Sequence, residues 1–170
     1  MDEKIRKQAA SCMPPLLEAI QDADHSNKDE IKKKIAQLFL TNLWRAVESS
    51  ISSLDYSIHM IHTTRKVIDV CGTFMTQDEI KKLSARILKA ISESELRKSE
   101  NDDITNNECD EEEEEKLELD NANAAEDKLQ HALAELIGSL FKTYKELTLP
   151  LVSTLESDLL MNHSAFLVVE

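Results

Sequence analysis

Apolar residues recur every three to four positions along most of the chain, the signature of helices that bury one stripe. Over 28–49 the stripe is Ile31, Ile35, Leu38, Phe39, Leu43, Ala46 and Val47. Asn27 stands where an N-cap is wanted, with Glu30 three residues on as its capping-box partner. Over 54–71 it is Leu54, Ile58, Ile61, Ile68 and Cys71, and Gly72 follows as a stop. Ile80, Leu83, Ile87 and Ile91 mark a helix over 77–98, capped by Thr76 with Glu79 at its third position. Leu129, Leu133, Leu136, Ile137, Leu140 and Tyr144 mark another over 123–146, and Leu151, Val152, Leu155 and Leu159 one more, beginning near Pro150. The opening helix, 2–23, contains Pro14 and Pro15, which delete backbone donors, so a bend or break is expected at Met13-Pro14-Pro15.

Short links, about 50–53 and 73–75, make consecutive helices antiparallel neighbours. Like helices then repeat at a spacing just under fifty residues, once a 22-residue stretch over 99–120 is set aside. Such a period is that of two-helix HEAT-type repeats. The predicted fold class is therefore all-α: a HEAT-repeat superhelix of three to four antiparallel pairs, with a long acidic loop inside one pair. Residues 1–170 read as one segment of a longer solenoid. Amphipathic pattern alone also permits a closed bundle. The regular period, and the apolar run Phe166-Leu167-Val168-Val169 with nothing evident to bury it, favour an open stack that continues.

Composition sharpens this. Only two glycines and three prolines leave little turn material for a hairpin-rich β fold. Three cysteines without CxxC spacing suit free thiols in a reducing compartment. Neither a signal peptide nor a run of membrane-spanning length is seen, which points to a cytoplasmic or nuclear chain with no membrane insertion. The net charge of −13 is concentrated: twelve acids against the single base Lys116 lie within 99–120. This insertion, 99–121, is expected to be disordered. It acts either as a solvating loop or as an electrostatic lure for basic surfaces, through Glu108, Asp110, Glu111, Glu112, Glu113, Glu114, Glu115 and Glu118. So acidic a chain does not suit direct contact with nucleic acid.

Candidate chemistry is sparse. His59 and His62 have metal-ligand spacing, but no further Cys, Glu or His stands beside them in sequence. Asp22, Asp24 and His25 fit a polar inter-repeat loop, and Cys71 lies on an apolar stripe where thiols are inert. Phosphate loops and nucleophile elbows are missing. The expectation is a binding protein, not an enzyme, without cofactor or metal.

Three stretches carry a resemblance. The opening 2–18, with Met13-Pro14-Pro15-Leu16-Leu17, a helix ending in Glu95-Leu96-Arg97-Lys98 before an acidic insertion, and Tyr144-Lys145-Glu146 ahead of Leu149-Pro150 are similar to the importin-β nuclear transport receptors, and most to their importin beta-3 branch. That resemblance covers the chain to about Leu160. It implies a longer superhelix that carries basic cargo with Lys/Arg-rich signals, yields it to Ran-GTP and touches Phe-Gly nucleoporins while shuttling between cytoplasm and nucleus. It also implies that the first helix of each pair faces outward and the second lines a concave side, where Asp55, Asp69, Glu126, Asp127 and Glu135 are candidate contacts. The competing expectation is a HEAT scaffold or regulatory subunit unrelated to transport.

Overall fold

Local chemistry sets where each helix starts and stops. The computed structural model describes residues 2–24, 26–47, 53–107 and 113–148. Asp2 caps α1 (Glu3–Ser11) by accepting from the Lys4 N–H at 3.0 Å. The break expected at the prolines falls at Cys12, and α2 (Met13–Asp22) begins with Pro14 and Pro15 in its first turn, where a missing N–H costs nothing. Next comes α3 (Lys28–Val47), whose first intrahelical bond runs from the Ile31 N–H to the Asn27 carbonyl. Ser53 caps α4 (Leu54–Cys71), which ends at Gly72 with φ of 66°. Before α5 (Gln77–Asn107), Thr76 and Glu79 form a reciprocal capping box: Thr76 donates to Glu79 and receives its N–H at 3.3 Å. The last helix, α6 (Glu113–Tyr144), runs into a 3₁₀ turn, Lys145–Thr148. The helix expected near Pro150 lies outside the described residues.

Helix pairs stack in two layers. α3 packs on α4 and α5 on α6, while α1, α2, α4 and α6 pack side by side in a row of their own. Contacts within that row fix its direction and period. Lys7 meets Asp55 and Ser11 meets His59, each pair 48 residues apart; Asp69 meets Ser139 across 70. Partner numbers rise together, so the row is parallel, as stacked repeats require. The 22 residues by which 70 exceeds 48 are the length of the acidic stretch. The chain is an all-α HEAT-repeat solenoid, in which the described residues form two antiparallel helix pairs, α3–α4 and α5–α6, behind α1–α2.

Between the layers lies the main apolar cluster, containing Leu17, Ala36, Ile61, Val67, Ile68, Ile80, Ile87, Leu133, Leu136 and Leu140, and Ala10, Tyr56 and Met60 form a smaller one that shares Phe39 with it. Two expectations need correction. On α3 the buried line is Lys32, Ala36 and the flanking Ile35 and Phe39, whereas Leu38 is 69% exposed and Ile31 38%. The insertion is largely helical: α5 continues to Asn107 and α6 starts at Glu113. Glu, Lys and Leu are good helix formers. High charge therefore lengthens the hairpin.

Candidate functional site

Beyond Ile91 and Leu129 the α5–α6 interface turns polar. Glu126, 5% exposed, accepts from Ser94 Oγ at 2.7 Å and from Arg97 Nε and Nη2 at 2.6 and 2.9 Å. The carboxylate pushes the Arg97 pKa up further. Lys98 pairs with Asp127, Asn101 donates to Asn123 at 2.8 Å, and Asn123 donates to Asp102 at 2.9 Å. As the α5 numbers rise the α6 numbers fall, so the arms are antiparallel. This polar ladder carries an arm whose exposed acids include Glu100, Asp102, Asp103, Glu118 and Asp120. Of the acids expected as a lure, Glu113, Glu114 and Glu115 form the first turn of α6 and Glu118 is exposed one turn on. Glu108, Asp110, Glu111 and Glu112 lie outside the described residues.

The five carboxylates expected to face a partner all hold helices to one another. Asp55 pairs with Lys7 of α1, whose ammonium lowers the Asp55 pKa. Asp69 accepts from Ser139 and sits 3.8 Å from Arg65. Glu135 of α6 meets Arg65 at 2.5 Å, His62 at 3.5 Å and His131 at 3.9 Å, and the Arg65 guanidinium holds its carboxyl below the ordinary range. Glu126 and Asp127 belong to the ladder just described. Glu126 is buried between α5 and α6, which corrects its placement on an open inner wall. Local pattern shows that a residue is acidic, not which cation the stacking brings to it.

The two histidines are also drawn into this seam. His59 Nε2 lies 3.1 Å from Ser11 Oγ and 3.2 Å from the Lys7 carbonyl, while His62 faces Glu135. A cavity of about 620 Å³ opens beside them, bounded by Pro14, Pro15, Thr63 and Lys66. Among the described residues, no group of three or more His, Cys, Asp or Glu side chains is placed to hold a metal ion. Burial raises the Cys71 thiol pKa.

One surface has no counterpart in the sequence expectations. Between α3 and α5 runs a groove of about 300 Å³. Leu40, Phe74, Met75 and Leu83 supply its apolar lining, Gln37 and Thr41 its α3 wall, and Glu79, Lys82 and Arg86 its α5 wall. The only advance signal was the apolar pair Phe74-Met75 inside a link where polar residues are usual. Tyr144 anchors that link: its buried hydroxyl receives the N–H groups of Phe74 and Met75 at 3.3 and 3.2 Å and donates to the Gly72 carbonyl at 3.1 Å.

Parallel stacked hairpins with an enlarged, charged arm define a helical-repeat protein. Comparison with known families goes further: the profile of Importin repeat 6 matches residues 56–162, most of the chain, from the start of α4 through the acidic arm and beyond α6. The chain belongs to the Importin repeat 6 family. Comparison with curated proteins and with solved structures gave no match. No helix among the described residues is long and apolar enough to cross a membrane.

Proposed function

We propose that this chain is a protein-binding segment of a nuclear import receptor of the importin beta-3 branch, acting by recognition and not by catalysis. Its partners are basic cargo with Lys/Arg-rich signals, Ran-GTP and Phe-Gly nucleoporins, and its place is the cytoplasm and nucleus between which it shuttles. The observation that supports this most is the α5–α6 hairpin, prolonged by 22 residues into an acid-rich arm within a span matching an importin repeat. Asp55, Asp69, Glu126, Asp127 and Glu135 are engaged by lysine, arginine and serine partners, which favours the arm as the acid-rich surface for a cationic guest. Exposed pairs contribute about 1 kcal/mol or less each, so the arm speeds encounter and adds salt-sensitive affinity through many weak contacts.

Titration calorimetry of the chain with a Lys/Arg-rich import-signal peptide, and separately with Ran-GTP, tests this. Binding should weaken steeply with salt and fall strongly when 108–118 are deleted. Undiminished binding after that deletion would remove the arm from recognition, and absence of binding to both partners would remove the import role of this segment.

A further inference from the structure

We propose that Ser11 is a phosphorylation site, and that the cavity beside the stacked row receives the phosphate placed on it. Ser11 and Pro14 line that cavity of about 620 Å³ from the α1–α2 side, and His59, His62 and Lys66 line it from α4. Ser11 stands exposed at the end of α1, just ahead of the break at Cys12, where a kinase can reach it. Arg6 and Lys7, five and four residues earlier, suit a kinase whose substrate groove is acidic. In the transfer the bond from Ser11 Oγ to the γ-phosphorus of ATP forms and the bond to ADP breaks. The hydroxyl proton goes to the kinase's base.

The receiving groups are already in place. His59 Nε2 lies 3.1 Å from Ser11 Oγ and 3.2 Å from the Lys7 carbonyl. A carbonyl only accepts, so Nε2 carries the hydrogen, and a donor is turned to the serine oxygen. Lys66 is exposed, and no carboxylate among the described residues pairs with it. Of the cavity's two acids, Glu135 is bound by Arg65 at 2.5 Å, while Asp69 accepts from Ser139 and lies 3.8 Å from Arg65. With both imidazoles neutral, Arg65 and Lys66 cancel Asp69 and Glu135. A phosphoserine adds a charge of about −1.5 to −2 at pH 7, which two imidazoles taking up one proton each can match. Helix dipoles do not decide the outcome. Ser11 closes α1, where an anion is disfavoured, and stands just before α2, where it is favoured. The phosphate therefore bridges α1 to α4 and fastens the first joint of the row, a modification independent of the import reading.

Phosphorus NMR of the full chain, with phosphoserine incorporated at position 11, tests the receptor. Free phosphoserine loses its second proton at about pH 6. In the chain that pKa should fall by about one unit or more, because Lys66 and the imidazoles favour the dianion. Lys66→Gln, at the exposed rim, and His59→Asn should each return it toward the free value. Amides of α1 should also exchange more slowly than in the unmodified chain. A phosphate that titrates at the free value in the parent, or faster exchange in α1, would overturn the cavity as its receptor. Incubating the unmodified chain with ATP and a basic-directed serine kinase, then mapping the product by mass spectrometry, tests the site itself. Phosphate should appear on Ser11, and its absence there overturns the modification. If a phosphoserine peptide at micromolar concentration shifts the His59 and His62 resonances of the Ser11→Ala chain, a partner is the source of the phosphate and the assignment to Ser11 fails.

Discussion

Removing the Glu126 carboxylate measures how the acidic arm is attached. Glu126 accepts three hydrogen bonds, two of them from Arg97, and is 5% exposed, with Ser94 fully buried beside it. Breaking a fully buried ion pair by truncation costs about 3–5 kcal/mol. Arg97 keeps 43% of its side chain exposed and can rehydrate, so the Coulombic part must be discounted. The stranded Ser94 hydroxyl cannot rehydrate, which costs about 1–3 kcal/mol. Glu126→Ala should therefore destabilise by about 1.5–3 kcal/mol, with a midpoint lowered by roughly 4–9 °C for a chain of this size. Glu126→Gln, which still accepts from Ser94, should cost about half as much. Arg97→Ala strands a carboxylate with little water and should cost at least as much as the Gln variant. The Arg97→Ala, Glu126→Gln double variant should then fall short of additivity by about 1 kcal/mol. Urea denaturation gives the totals. Hydrogen exchange gives the location: amides over 95–107 and 113–125 should lose protection before those over 80–91 and 129–140. A Glu126→Ala protein within about 0.5 kcal/mol of the parent, with unchanged exchange in the arm, would refute the idea that this buried carboxylate fastens it.

Three further outcomes follow from the same structure. Tyr144→Phe leaves the Phe74 and Met75 N–H groups without their shared acceptor and should cost about 1.5–3 kcal/mol by chemical denaturation. Gly72→Ala meets no atom within 4 Å, so its cost is the backbone strain of φ at 66° alone, about 1–3 kcal/mol, read as a lowered melting midpoint with unchanged helical circular dichroism. Stability should be level from pH 7 to about 5 and fall in acid, because hydrogen bonds from Ser53, Lys7 and Arg65 depress the pKa values of Glu3, Asp55 and Glu135. Their contribution is complete above the ordinary values of 4.5 and 3.8 and is lost as pH drops through the lowered folded ones; urea midpoints at stepped pH check it.

Helix existence was legible because each helix buries a stripe, and the stripe was read best where it faces one way. On α5 and α6 the expected Ile80, Leu83, Ile87, Leu129, Leu133, Leu136, Leu140 and Tyr144 are buried, and the expected Ile91 and Ile137 are partly so. On α4 the expected line omitted Tyr56, Met60 and Val67, which are buried too. That helix sits in the middle of the row with α1 and α2 on one side, α6 on the other and α3 behind, so a one-stripe template undercounts it. Arg6 lies over the Tyr56 ring at 5.0 Å from its centroid, a contact 50 residues apart that no local pattern announces. The arm was misjudged because charge density argues for solvation while residue-by-residue propensity argues for helix, and propensity prevailed. The candidate acids were legible as acids, but the partners of Asp55, Asp69 and Glu135 were set by stacking at an offset of 48 or 70 residues, and those of Glu126 and Asp127 by pairing across the hairpin at 29 to 32.

The register of that stacking explains how so large a charge is tolerated. In a solenoid each helix pair contacts its neighbours along one face, so residues added at a hairpin tip do not change any contact between rows. The seam from Lys7 and Ser11 to Asp55 and His59, and the seam from Arg65 and Asp69 to Glu135 and Ser139, keep corresponding faces together although one spans 48 residues and the other 70. All of the difference is absorbed beyond Ser94 and Glu126, where the interface has already turned from hydrocarbon to hydrogen bonds. Repulsion among the arm's carboxylates therefore acts on the ladder of Arg97, Lys98 and Asn101 and not on the core of Ile87, Leu133 and Leu136. A cationic guest would relieve that repulsion, so its binding should tighten the ladder. The mechanical consequence is confined to one hairpin, because the paired carboxylates of the row leave the neighbouring repeats in register.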